Sequence, residues 1–427
     1  MKYSMELTAE QQDILQGKQG DTLAKVMETL VRYGEIFGAT SMIPITSSYN
    51  HLVTSFGLKA LGPVYDLMNW LIEADAVSKQ QFSADPRPLD PNVPSSFLQN
   101  IVFKHFMYSK QDFYEDQLEK LGLMDSDAFT CTCYMDEVGN TPKMGEVLSW
   151  SESSAVVYAN SVLGARCNRN SGIIDLMGSV VGYVPYFGLL TDDGRKADWI
   201  VEIKTSKKPE AQLLGSAIGM KVMEDVPYIV GLDSWLGELD EDAKTYLKDF
   251  GAATASNGAV GLYHVEGITP EAVEQGRALV RESAQTYVID DAELQRIYES
   301  YPVIWKNKEV KPKLCFMGCP HMSFNQLVSW TEKIEEALAE AGRDRVCVPT
   351  VFTAAPAVLK RFGESPYAAR LRKMGVILSY ICPLMYMNNP LCSSMPVITS
   401  SNKLRTYTSA RYYTDEEILE QITKGGN

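Results

Sequence analysis

Thiols, serines and arginines crowd into one stretch of the chain, residues 131–172, at a density that its flanks lack. Cys131 and Cys133 open it, separated by a single residue. Turn-forming residues at 139–142 follow, then Ser151-Glu152-Ser153-Ser154 and a largely apolar run over 155–163. That run is long enough for two to three turns of helix, with Ser153 typed as its N-cap and Gly164 as the residue just past its end. Arg166, Asn168 and Arg169 come next. Helix N-terminal amides and serine hydroxyls at one end, with guanidinium forks at the other, are the parts of an anion site. The plainer alternative is that the serines only cap a helix and the arginines are solvated.

The run 152–169 resembles the signature of the aconitase X family. Glu152-Ser153-Ser154-Ala155 and Gly164-Ala165-Arg166-Cys167-Asn168-Arg169 carry most of the likeness. Distant pieces agree with it. Thr130-Cys131-Thr132 resembles the family's first cluster cysteine, Gly318-Cys319-Pro320-His321 its second, and Cys382 its third. Thr399-Ser400-Ser401-Asn402-Lys403 is similar to a short segment near the family's C-terminus. The resemblance implies an iron–sulfur hydro-lyase, a dehydratase of small hydroxy acids such as cis-3-hydroxy-L-proline or mevalonate 5-phosphate. It implies Cys131, Cys319 and Cys382 as cluster ligands, with Ser153, Ser154, His51 and Lys403 as catalytic candidates. Asn160, Ser161, Arg166, Asn168, Arg169 and His321 are then the substrate-binding candidates. In the family, the loop at 46–51 carries a histidine that faces the substrate; here the register leaves His51 and Tyr49 as the two contenders. The family also builds part of its site on a small swivelling domain. Because this chain ends soon after Lys403, a small swivel-domain subunit is expected as its partner. Two rival readings are a non-catalytic relative that binds a small acid and a zinc-dependent lyase.

Thiolates from three separate loops suit sulfide-bridged iron, which prefers soft ligands. Zinc is the competing metal, since Cys315, Cys319 and His321 could supply ligands at a tight turn. Inert thiols are the third possibility, and spacing alone leaves all three open. Cys315 falls inside a predicted strand, where it would face a core. Cys133 is expected to be incidental or a spare ligand, and Cys167, Cys347 and Cys392 to be small buried hydrophobes.

The elements that must position these groups follow from length and pattern. With 427 residues the chain is too long for one small core. Its 45% hydrophobic and 22% charged residues are ordinary for a soluble globular protein. A net charge of -14 argues against nucleic acid and an anionic membrane as partners, yet a local arginine cluster can still oppose that field. The N-terminus lacks the apolar region of a signal peptide, and no uninterrupted run of 18 apolar residues occurs. Eight cysteines without a signal then read as thiols or metal ligands of a cytoplasmic protein.

Thr8 to Gln11 has the form of a capping box, and Ser323 is typed as the cap of a long helix. Strands are predicted over 42–45, 199–205, 228–232, 260–265, 313–316, 345–351 and 376–381, alternating with helices through the second half. Such alternation argues for an α/β protein of layered αβα sheets, mostly parallel and aconitase-like, with sites at the carboxyl ends of strands. The expected division is 1–205, 206–380 and a C-terminal segment 381–427 that completes the site.

Overall fold

The computed structural model describes residues 3–425. Two all-parallel sheets carry the second half of the chain. In the first, Val376–Ser379, Thr350–Thr353, Leu314–Met317, Val397–Thr399 and Arg411–Tyr412 lie side by side in that order. In the second the order is His264–Val265, Pro227–Val230, Ala197–Ile203 and Val280–Ile289. A third parallel pair, Asn50–Leu52 with Phe82–Ala84, is widened by single bridges to Trp150, Leu123 and Phe129. The α/β class with parallel sheets is as expected. The first sheet joins strands from 314–379 to strands from 397–412, and the second runs across residue 205.

Period-two alternation places the two faces of the first sheet in different cores. Cys315, Met317 and Phe352 point to one side, against Leu327, Trp330 and Ile334 of the helix Phe324–Glu340. Leu314, Phe316 and Val351 point to the other, against Ile381, Met385 and Tyr386. Both faces are therefore covered, as a parallel sheet requires. The capping box at Thr8 forms as expected, and Ser323 caps its helix as expected, there too with a full box. Some boundaries differ. The strand expected at 345–351 lies at Thr350–Thr353, and that at 260–265 shrinks to His264–Val265. No helix among the described residues is long and apolar enough to cross a membrane.

The helices Ala211–Val222 and Glu241–Gly258 approach so closely that their glycines are steric necessities. A methyl on Gly215 would fall 2.3 Å from the Phe250 carbonyl oxygen, and one on Gly258 would fall 2.0 Å from that of Gly219. Of this pair, Glu241–Gly258 packs against the helix Ser153–Ser161. Gly258→Ala cannot be relieved by a side-chain rotation, because the colliding atom is backbone. It should lower stability by about 1–3 kcal/mol or more, read as a drop in denaturation midpoint; a midpoint within ~0.5 kcal/mol of wild type would mean that the helices separate freely.

Candidate active site

Six side chains reach one cavity from the ends of separate elements. Cys319 follows the strand Leu314–Met317, and Cys382 caps the short helix Pro383–Met387 just past Val376–Ser379. Lys403 sits on the helix Asn402–Tyr407 that follows Val397–Thr399, and Asp85 follows Phe82–Ala84. Cys131 comes from the loop after the bridge at Phe129, and Glu152 from the start of the helix Ser153–Ser161. The first four stand at the carboxyl ends of parallel strands, where backbone geometry opens a crevice.

The cavity is organised by an ion pair. Lys403 Nζ contacts Glu152 Oε1, and the other carboxylate oxygen accepts from Ser154 Oγ at 2.7 Å and from the Ala155 N–H at 2.6 Å. Glu152 is thus the N-cap of its helix, where Ser153 was expected; Ser153 is the first helical residue. Burial alone would push the Glu152 carboxyl up, but Lys403, Ser154 and the Ala155 amide outweigh it and hold the pKa below its usual value. Burial likewise opposes the ammonium of Lys403, and Glu152 outweighs that and raises it. Both groups are charged. Burial also pushes up the thiols of Cys131, Cys319 and Cys382.

His321 lies in the cavity wall with both ring nitrogens engaged. Nε2 faces the Ile381 carbonyl at 3.2 Å and must donate to it, so Nδ1 accepts from Thr130 Oγ1 at 3.0 Å. Burial lowers its pKa to about 4. Its backbone N–H meets Cys131 Sγ at 3.4 Å, tying two thiol-bearing loops together. The zinc set is not assembled, because Cys315 faces the core and the imidazole of His321 has no free nitrogen. His51 is fully buried and reaches Asp85 Oδ1 at 3.5 Å; it is Asp85 that lines the cavity. Burial works against the imidazolium, but Cys133 and Asp85 more than compensate and raise His51 to about 10. Tyr49 offers its carbonyl to Trp150 Nε1 and does not line the cavity.

The expected anion loop divides in two. Asn160 spends its amide on the carbonyls of Cys167 and Gly261 and accepts from the Cys167 N–H. Ser161 accepts from the Tyr263 N–H, and Asn168 is held by Phe187 and Leu189. Arg166 pairs with Asp192 at 2.5 Å and bonds the Leu190 carbonyl. These groups are engaged within the chain, in place of the free donors expected from sequence. Arg169 differs: among the described residues its guanidinium has no hydrogen-bond or ion-pair partner, and its stem packs where Gly261 leaves room. Cys347, expected to be buried, is exposed, whereas Cys133, Cys167 and Cys392 are buried.

Glu152 and Asp85 line the cavity, and sequence reasoning did not single them out. A glutamate directly before a Ser-Ser helix start was a usable signal, since glutamate is an uncommon N-cap. Asp85 carried none, because it sits in a proline-rich run and its strand is only three residues long.

Thiols and a buried Lys–Glu pair gathered at the carboxyl edges of layered parallel sheets define an aconitase-like α/β enzyme. The chain belongs to the aconitase X family: the family's first domain matches residues 4–193 and its second domain residues 197–299. It is 33% identical over 361 residues to the phosphomevalonate dehydratase large subunit of Thermococcus kodakarensis, covering 83% of this chain and 82% of that one. It is 28% identical over 425 residues to cis-3-hydroxy-L-proline dehydratase of Hypocrea jecorina, covering 96% of this chain and 67% of that one. A crystal structure of aconitase X from Thermococcus kodakaraensis, in its holo-form, superposes with a TM-score of 0.79 at 29% identity, over 98% of this chain and all of that one. These named relatives are dehydratases, and this chain is a hydro-lyase of their type.

Removing one member of the ion pair leaves the other charge buried. Lys403→Met should destabilise by about 3–5 kcal/mol at neutral pH, and adding Glu152→Gln should restore part of the loss. A double-mutant cycle in denaturant reads the coupling; additive losses would mean that the two side chains do not depend on each other.

Proposed function

We propose that this chain is the catalytic large subunit of a two-subunit enzyme that removes water from a small hydroxy acid, of the class that cis-3-hydroxy-L-proline and mevalonate 5-phosphate exemplify. The observation that carries this is the meeting of Cys131, Cys319 and Cys382 with the Glu152–Lys403 pair around one cavity, although the three thiols lie far apart in sequence. Among the described residues no three His, Cys, Asp or Glu side chains close on a point that one ion could occupy. Three soft thiols lining one cavity fit a sulfide-bridged iron cluster. When bound there, such a cluster supplies a Lewis acid that polarises a carbon–oxygen bond.

The chain's own residues bind and orient the substrate. Lys403, fixed by Glu152 and Ser154, presents a positioned cation to a carboxylate. Arg169 offers a second, unspent cation for the anionic end of the acid. Asn160, Ser161 and Asn168 hold the loop that carries it. A small swivel-domain subunit as partner is supported by the name "large subunit" carried by the Thermococcus relative.

Two experiments test the reading. Cys131→Ser, Cys319→Ser and Cys382→Ser should each lose most of the iron and acid-labile sulfide of anaerobically purified protein, while the exposed Cys347→Ser keeps both. Full iron in all three variants would remove the cluster from this cavity. Arg169→Lys keeps the charge but loses the fork, which removes roughly 1.5–3 kcal/mol of charged hydrogen bonding. Calorimetry should then show substrate binding weakened by about tenfold or more, and unchanged affinity would take the substrate away from this loop.

A further inference from the structure

One carboxylate in the cavity wall belongs neither to the thiol set nor to the Glu152–Lys403 pair. Asp85 lines it with a side chain 12% exposed, beyond the end of the strand Phe82–Ala84. Among the described residues none makes a normal hydrogen bond to its carboxylate, and Oδ1 is buried without one. The approach of His51 Nε2 at 3.5 Å is loose for a hydrogen bond. A buried carboxylate oxygen left unpaired costs free energy, so the arrangement asks for a function.

Behind Asp85 the chain has built a fixed support. His51 is wholly buried, and its Nδ1 lies 2.9 Å from Ser83 Oγ. That same hydroxyl oxygen accepts from Asn140 Nδ2 at 2.9 Å, and Asn140 is anchored in turn on the Asn50 carbonyl. As an imidazolium, His51 turns its Nδ1–H to the Ser83 oxygen, which accepts from Asn140 as well, and its Nε2–H to Asp85. Trp150 packs edge-on against the imidazole, with ring centroids 5.8 Å apart. The register of the parallel pair makes this possible: His51 is opposite Ser83, and Asp85 follows two residues on.

Resting on the dehydratase reading, we propose that Asp85 is the catalytic residue that takes the proton from the carbon next to the departing hydroxyl, and that His51 is the positioning residue that aims it. The carbon–hydrogen bond breaks and its electron pair forms the new carbon–carbon double bond. The neighbouring carbon–oxygen bond breaks, and the departing hydroxide takes the proton that Asp85 has received. Water leaves and the carboxylate is regenerated, so no further reactant is needed. Lys403 is unsuited to this task because Glu152 holds it as an ammonium. The same geometry explains why a fully buried histidine stands behind the cavity without entering it.

The test uses the iron-loaded enzyme with its small subunit in D2O, with mevalonate 5-phosphate and cis-3-hydroxy-L-proline as probes. Two readouts are followed for each variant, turnover and solvent deuterium appearing at the substrate carbon. Asp85→Asn, nearly isosteric, should lower kcat by at least 100-fold with KM within about threefold and iron content unchanged, and deuterium incorporation should fall in parallel. His51→Gln, which retains a donor, should keep more activity than Asp85→Asn and show the same split between kcat and KM. Asp85→Glu keeps the acid but shifts it by a methylene; it should slow exchange at least tenfold, and it decides the matter if Asp85→Asn does not fold. Wild-type exchange in either Asp85 variant would overturn the assignment and leave the dehydratase reading standing. Absence of turnover of both acids by the wild-type enzyme would overturn that reading and this assignment with it.

Discussion

Glu152 and Lys403 meet from places 251 residues apart in the chain, and the cavity exists because they do. Glu152 opens the helix Ser153–Ser161, which packs against Glu241–Gly258 of the tightly packed pair beside the four-stranded sheet. Lys403 belongs to the helix that follows the fourth strand in the order of the five-stranded sheet. Their contact joins two separately built layers across a space that would otherwise bury unmatched charge. The carboxylate serves twice, as helix cap and as counter-ion, so neither task can be changed alone. That double commitment also fixes the side on which the three thiols converge, because Cys131, Cys319 and Cys382 line the same wall as the pair.

Around this pair the structure separates polar groups that hold the site from groups left free to act. Arg195, almost fully buried, grips Glu271 and the Asn160 carbonyl, while Arg166 answers Asp192. His321 is spent on Thr130 and Ile381. Among the described residues the guanidinium of Arg169 makes no hydrogen bond, and the carboxylate of Asp85 has only the loose approach of His51 at 3.5 Å. A site that must recognise an anion and move a proton needs little more, provided that the scaffold does not let these few groups satisfy one another.

Sequence made the class of fold and the convergence of thiol-bearing loops legible, because parallel α/β alternation and cap residues are local signals. The boxes at Thr8 and Ser323 are examples, each set by residues three apart. What it could not convey was which polar side chains would be consumed by the fold. Asn160 and Arg169 look alike as donors in one short motif, yet Asn160 is locked by Gly261 while Arg169 is not. The outcome depends on segments a hundred residues away. His51 shows the same limit from the other side: its type was noticed, but its partner Asp85 lies just past a strand too short to be seen in the pattern. Ser153 was misplaced by one residue because a glutamate took the cap, a choice that only the distant lysine explains.

The strand order carries a consequence for how the chain is made. Leu314–Met317 is central in its sheet, flanked by Thr350–Thr353 on one side and Val397–Thr399 on the other. During vectorial synthesis the first neighbour emerges soon after it, but the second follows only after Val376–Ser379 has also been made. Until then an apolar strand presents an open hydrogen-bonding edge, the feature that invites pairing with another nascent chain. The Cys319 loop continues directly from that strand. The same late-arriving segment that closes the edge also delivers Lys403 to Glu152, so the nascent chain has no finished cavity to offer before its exposed edge is covered.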